Sequence, residues 1–71
     1  MSYLTIDTLG DALPREQARA REVLGYYKEI GPAGKFGAVM IELALQRADK
    51  AVVSGDIVEM LKSYNELKEI K

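Results

Sequence analysis

The segment Gly31-Pro32-Ala33-Gly34-Lys35-Phe36-Gly37 places three glycines, a lysine and an aromatic ring between two stretches that read as helix. The chemistry this combination suits is anion recognition. Backbone N–H groups at a helix start carry the positive end of the helix dipole, and the amides of Gly34 to Gly37 fall where a second helix opens. Lys35 adds a charge, and Phe36, Tyr26 or Tyr27 offers a ring on which a base could stack. Arg47 is a further candidate, because it stands on an otherwise apolar face with Phe36, Met40 and Leu43 and would need a partner or a ligand if buried. A structural account competes for the same residues. Gly31 and Pro32 stop a helix, Gly34 and Gly37 let two helices approach closely, and Phe36 joins Met40 and Leu43 in a core.

Catalysis has little to build on. The chain has no histidine and no cysteine, so it lacks the commonest general base, the thiolate nucleophile and the usual transition-metal ligands. Its carboxylates fall mostly on polar faces or at caps, and the most noticeable pair, Asp56 and Glu59, has the spacing of a capping box. The glycine segment also departs from the phosphate-binding loop of NTPases. Gly31 and Gly34 are too close, Phe36 stands where a serine or threonine would hold magnesium, and a helix precedes the loop in place of a strand. The expectation is a non-enzymatic protein with no catalytic residue, metal or cofactor.

The elements that must position these residues follow from apolar spacing and turn signals. Residues 1–12 alternate loosely and suit a short arm, or equally a short helical turn. Helix 1 is expected over about 14–30, with Pro14 at its first position, Asp11 as a cap and an apolar face of Leu13, Ala20, Val23, Leu24, Tyr27 and Ile30. Gly25 is a weak spot within it. Gly31 followed by Pro32 ends the helix. Helix 2 is expected over about 35–53 and is apolar nearly all round, which implies burial on several sides, more than two short neighbours from the same chain provide. Helix 3 is expected over about 57–70, capped by Asp56 with Glu59 reaching back. Its apolar face is Ile57, Met60, Leu61, Tyr64, Leu67 and Ile70.

The fold class is thus all-α, a compact three-helix unit with a short N-terminal arm in a single domain. A chain of 71 residues buries only about 60% of the surface its unfolded form exposes. With no disulfide or zinc site to staple it, assembly as a homo-oligomer is the expected reinforcement. A net charge of −1 gives no long-range attraction to nucleic acid. The second helix is also apolar where a DNA-reading helix must be polar. No segment has the length and apolarity of a membrane span or the pattern of a signal peptide, so a cytoplasmic location is expected.

From Leu13 onward, the order Leu-Pro, then Tyr-Tyr-x-x-Ile-Gly-Pro-Ala-Gly-x-Phe-Gly, then Met40-Ile41, then Ser54-Gly55-Asp56-Ile57-Val58-x-Met60-Leu61-x-x-Tyr64-x-x-Leu67-Lys68, resembles short helical proteins of phages and prophages. Such proteins often act by binding, either blocking a host protein or sequestering a nucleotide messenger of host defence. The resemblance assigns no site residue. The stretch from Ala48 to Leu67 also looks like one hairpin of a tetratricopeptide array, without its repeats.

Two functions are therefore expected. In the first, the protein sequesters a phosphate-bearing small ligand such as a cyclic nucleotide immune signal, held by Gly34, Lys35, Phe36, Gly37, Tyr26 and Arg47. In the second, it is a protein–protein inhibitor or adaptor that lays an apolar helix face on a host protein.

Overall fold

A computed structural model describes residues 3–71, with side chains from Leu9 onward. The elements of the described residues are all helices: α1 (Tyr3–Ile30), a 3₁₀ turn (Gly31–Gly34), α2 (Lys35–Ser54) and α3 (Ile57–Lys68). Among them, no helix is long and apolar enough to cross a membrane.

The expected arm is replaced from Tyr3 onward by helix, while Met1 and Ser2 lie outside the described residues. Pro14 therefore sits inside α1 and Asp11 caps nothing. Pro14 has no N–H to give the carbonyl of residue 10. Gly10 is exposed, so water can serve that carbonyl, while Leu9, Ala12 and Leu13 are buried on either side of the gap. Apolar burial outweighs one lost hydrogen bond here.

The other boundaries lie close to expectation. Gly31 turns the chain at φ 85° and Gly55 does so at φ 71°, both in the left-handed region. Asp56 caps α3 by accepting from the amides of Val58 and Glu59. The reciprocal half of the capping box does not form. The Asp56 amide donates to Ser54 Oγ at 3.2 Å, and Glu59 pairs with Lys62.

The core is thin. Leu9, Leu13, Ile41, Leu45 and Leu67 supply its bulk, and Ala20, Ala44 and Ala48 keep the helices close. Burial on α3 differs from the expected face: Ser63 is buried, whereas Ile57 and Leu61 are exposed. Polar contacts bridge α1 and α2, with Arg21 and Gln17 both on Asp49 and Lys28 on Glu42.

Arg19 ties α3 to α1. Its guanidinium donates to the carbonyls of Leu67 and Ile70, each at 2.8 Å, and pairs with Glu16. The Leu67 carbonyl also accepts from the Ile70 amide at 3.0 Å, so the arginine adds a charged donor at a helix C-terminus, whose partial negative charge favours a cation. Arg19→Met should lower the unfolding free energy, read from the urea midpoint, by about 1–2 kcal/mol, less than a buried charged hydrogen bond because the guanidinium is 39% exposed. An unchanged midpoint would show that water replaces the arginine.

Candidate functional site

The glycine segment is built around Tyr27. A Cβ at Gly34 would lie 2.2 Å from the Tyr27 carbonyl oxygen, and one at Gly37 would lie 2.4 Å from the Tyr27 ring. Both glycines let the start of α2 close onto the end of α1. The Lys35 amide donates to the Pro32 carbonyl, so the 3₁₀ turn already uses a donor at the start of α2. Lys35 and Phe36 both project from the first turn of α2 into solvent. Phe36 is 79% exposed, and so is not the core residue its spacing with Met40 and Leu43 suggested.

Arg47 stands apart from this turn. Twelve residues of helix separate it from Lys35, about 18 Å along the axis. Its guanidinium pairs with the Glu66 carboxylate, with Nε donating to Oε1 at 3.1 Å. Those hydrogen bonds push its pKa above the ordinary value, with the Glu66 charge acting in the same direction. The expected partner of Arg47 is thus a side chain of α3. Arg47, Lys50, Ser54, Lys62, Ser63 and Glu66 line a groove of about 490 Å³ between α2 and α3.

The two arginines mark where α3 ends. Arg19 of α1 holds the carbonyls of Leu67, near the end of α3, and of Ile70, just beyond it, and Arg47 of α2 holds Glu66. Beyond them, residues 20–30 and 35–46 continue as a bare two-helix hairpin, about 16–18 Å long. The 28 residues of α1, about 42 Å of helix, set the long dimension of the molecule, 44 × 20 × 14 Å, with a radius of gyration of 13.0 Å.

The face that α3 leaves uncovered is apolar on both helices. On α1, Tyr26 and Ile30 follow Arg19 at i+7 and i+11 and so continue the stripe that faces α3, while Val23, at i+4, is half-buried against the core. On α2, Leu43, Met40 and Phe36 precede Arg47 at the same intervals. Tyr26 is 57% exposed, Ile30 59%, Met40 48% and Leu43 41%, with Val39 beside them. Sequence reasoning assigned most of these to a core. The signal that separates them is helix length: α3 has 12 residues against the 20 of α2.

Tyr26 donates its hydroxyl to Glu22 at 3.2 Å. The Glu22 charge is the main cause that raises the phenol above its ordinary value of 10.0, helped by that hydrogen bond and by Glu29. A raised value in the folded state means that the pair's contribution is complete below pH 10 and is lost as pH rises through the shifted value. In an absorbance titration at low salt, Glu22→Gln should let one of the tyrosines ionise at lower pH. Superimposable curves would rule the contact out in solution.

Searches against protein-family models, curated proteins and solved structures return no match to this chain.

Proposed function

We propose that this protein works by binding, without catalysis, and that its working surface is the apolar face of the α1–α2 overhang, which docks on another protein. One observation carries the reading: Tyr26, Ile30, Phe36, Met40 and Leu43 are all exposed, and helical spacing puts them on one face of the two-helix overhang. Taking about 150–200 Å² for a fully exposed side chain of this size, these five present on the order of 500 Å², the scale of patch that marks interaction sites. Two parallel helical stripes are a form that recognises an apolar helix or groove. The resemblance to phage proteins that block a host protein agrees with this.

Sequestration of a phosphate-bearing ligand would draw on Lys35 and the neighbouring amides. The close contacts of Gly34 and Gly37 with Tyr27 give those glycines a purpose without a ligand, so docking is preferred.

The test compares capture of a partner from host lysate by the native chain, by Phe36→Asp/Met40→Asp, by Lys35→Glu and by Val53→Asp. Val53 is 88% exposed near the end of α2 remote from the overhang. Loss of capture in the double variant alone is the expected result. Loss in Lys35→Glu alone would return the ligand reading to first place.

A further inference from the structure

We infer that, until a host partner displaces it, the occupant of the overhang is a second copy of this chain, packed antiparallel about a two-fold axis so that the two hairpins form a four-helix bundle. The inference rests on the docking reading above and names the partner of that same surface.

Length is the first argument. The face left open between the end of α3 and the hairpin turn is as long as the overhang itself, about 16–18 Å. An antiparallel second copy therefore fills it completely, each turn abutting the end of the other copy's α3. A parallel copy would bring the two α3 helices to the same level on the same face, where they collide.

Area is the second argument. On the order of 500 Å² of apolar surface, with a polar rim that includes Lys35 and Glu22, approaches the roughly 800 Å² per partner of a stable interface. Two stripes meeting two stripes is the packing of four-helix assemblies. A two-fold interface uses the same patch on both copies, so a single apolar face suffices.

Charge is the third. With a net charge of −1, two copies meet with little long-range repulsion. Neither Arg19 nor Arg47 has to be buried unpaired, because each already holds α3 at the edge of the surface.

The two-fold geometry specifies which residues meet. The midpoint of the α2 overhang, residues 35–46, falls between Met40 and the buried Ile41, so Met40 is the exposed residue nearest its own copy, and Leu43 is the exposed residue of the stripe nearest Phe36 of the other. The chain has no cysteine, which allows single-cysteine variants without background.

Under mild oxidation Met40→Cys should form a disulfide-linked dimer, and Phe36→Cys mixed with Leu43→Cys should form a mixed one. Phe36→Cys alone and Val53→Cys should not form a disulfide-linked dimer. In sedimentation equilibrium the native chain should weigh twice its 7.9 kDa, and Met40→Glu should weaken the dimer by about 100-fold or more, the scale of a central interface residue. Circular dichroism should be unchanged, since Met40 is half exposed.

A native chain that stays monomeric near 1 mM, forms a trimer or larger assembly, or dimerises equally well as Met40→Glu overturns the inference. The capture assay separates the two levels. A monomer whose Phe36→Asp/Met40→Asp variant still loses a partner ends the self-association alone. A monomer with unchanged capture ends the docking reading as well.

Discussion

Gly34→Ala should destabilise the protein by about 3 kcal/mol or more, the upper part of the range for overpacking, and lower the melting temperature by at least about 12 °C. The direction is opposite to the usual one. Alanine normally improves a helix-interior glycine by about 0.5–1 kcal/mol, and Gly25→Ala should do so, because a Cβ at Gly25 meets nothing within 4 Å. Gly34 has an ordinary backbone, φ −93°, so the penalty there is steric and not conformational. Its new methyl would meet the Tyr27 carbonyl oxygen at 2.2 Å and Ile30 Cβ at 3.3 Å. A main-chain carbonyl inside a helix cannot rotate away, so the two helices must part.

Gly37→Ala makes the informative comparison, because its obstacle is the Tyr27 ring, which can swing. A loss of about 1–2 kcal/mol is expected there. Adding Tyr27→Ala should remove most of the extra cost at Gly37 and none at Gly34, a coupling that urea melts of the double variants would measure. Equal rescue at both positions would mean that the hairpin closes differently.

Leu67→Ala is the second large effect, about 2–5 kcal/mol for a fully buried leucine. Total stability for a chain this size is about 4–10 kcal/mol, so the variant sits near the edge of folding. The loss should concentrate in α3. Its 12 residues are too few to persist as an isolated helix, and Leu67 is its only large side chain that is fully buried. Leu61→Ala, on the exposed side of the same helix, should change stability by less than about 1 kcal/mol. Amide hydrogen exchange would then show α3 opening in Leu67→Ala while the α1–α2 hairpin stays protected. Similar losses for Leu61 and Leu67 would contradict the burial pattern.

Much of this architecture is legible in local sequence. Gly31-Pro32 and Gly55-Asp56 fix both turns because each carries a residue suited to the required backbone and a residue that cannot continue or that caps a helix. The start of α1 is different. Pro14 has two structural meanings, first helical position or tolerated interruption, and only the burial of Leu9 and Ala12 by distant helices decides between them.

The candidate site divides in the same way. Spacing reveals that Phe36, Met40, Leu43 and Arg47 share a stripe, but not whether anything covers it, which depends on how far α3 runs. The charge on that stripe is informative in hindsight: Arg47 marks the point where polar contact with α3 gives way to uncovered apolar surface. The glycines pointed correctly to a special segment. Only three-dimensional packing identifies Tyr27 as the group they accommodate.

The short turns have a kinetic consequence. Four residues join α1 to α2 and two join α2 to α3, so contacts between sequential helices close with little loop entropy and should form on the fast timescale of helical bundles. The contact of Arg19 with the Ile70 carbonyl, 51 residues away, is among the longest closures in the chain. It can form only after the chain has reversed direction twice, at Gly31–Gly34 and again at Gly55–Asp56. The arginine therefore acts as the latch of the folding reaction: its loss should leave the folding rate nearly unchanged and speed unfolding.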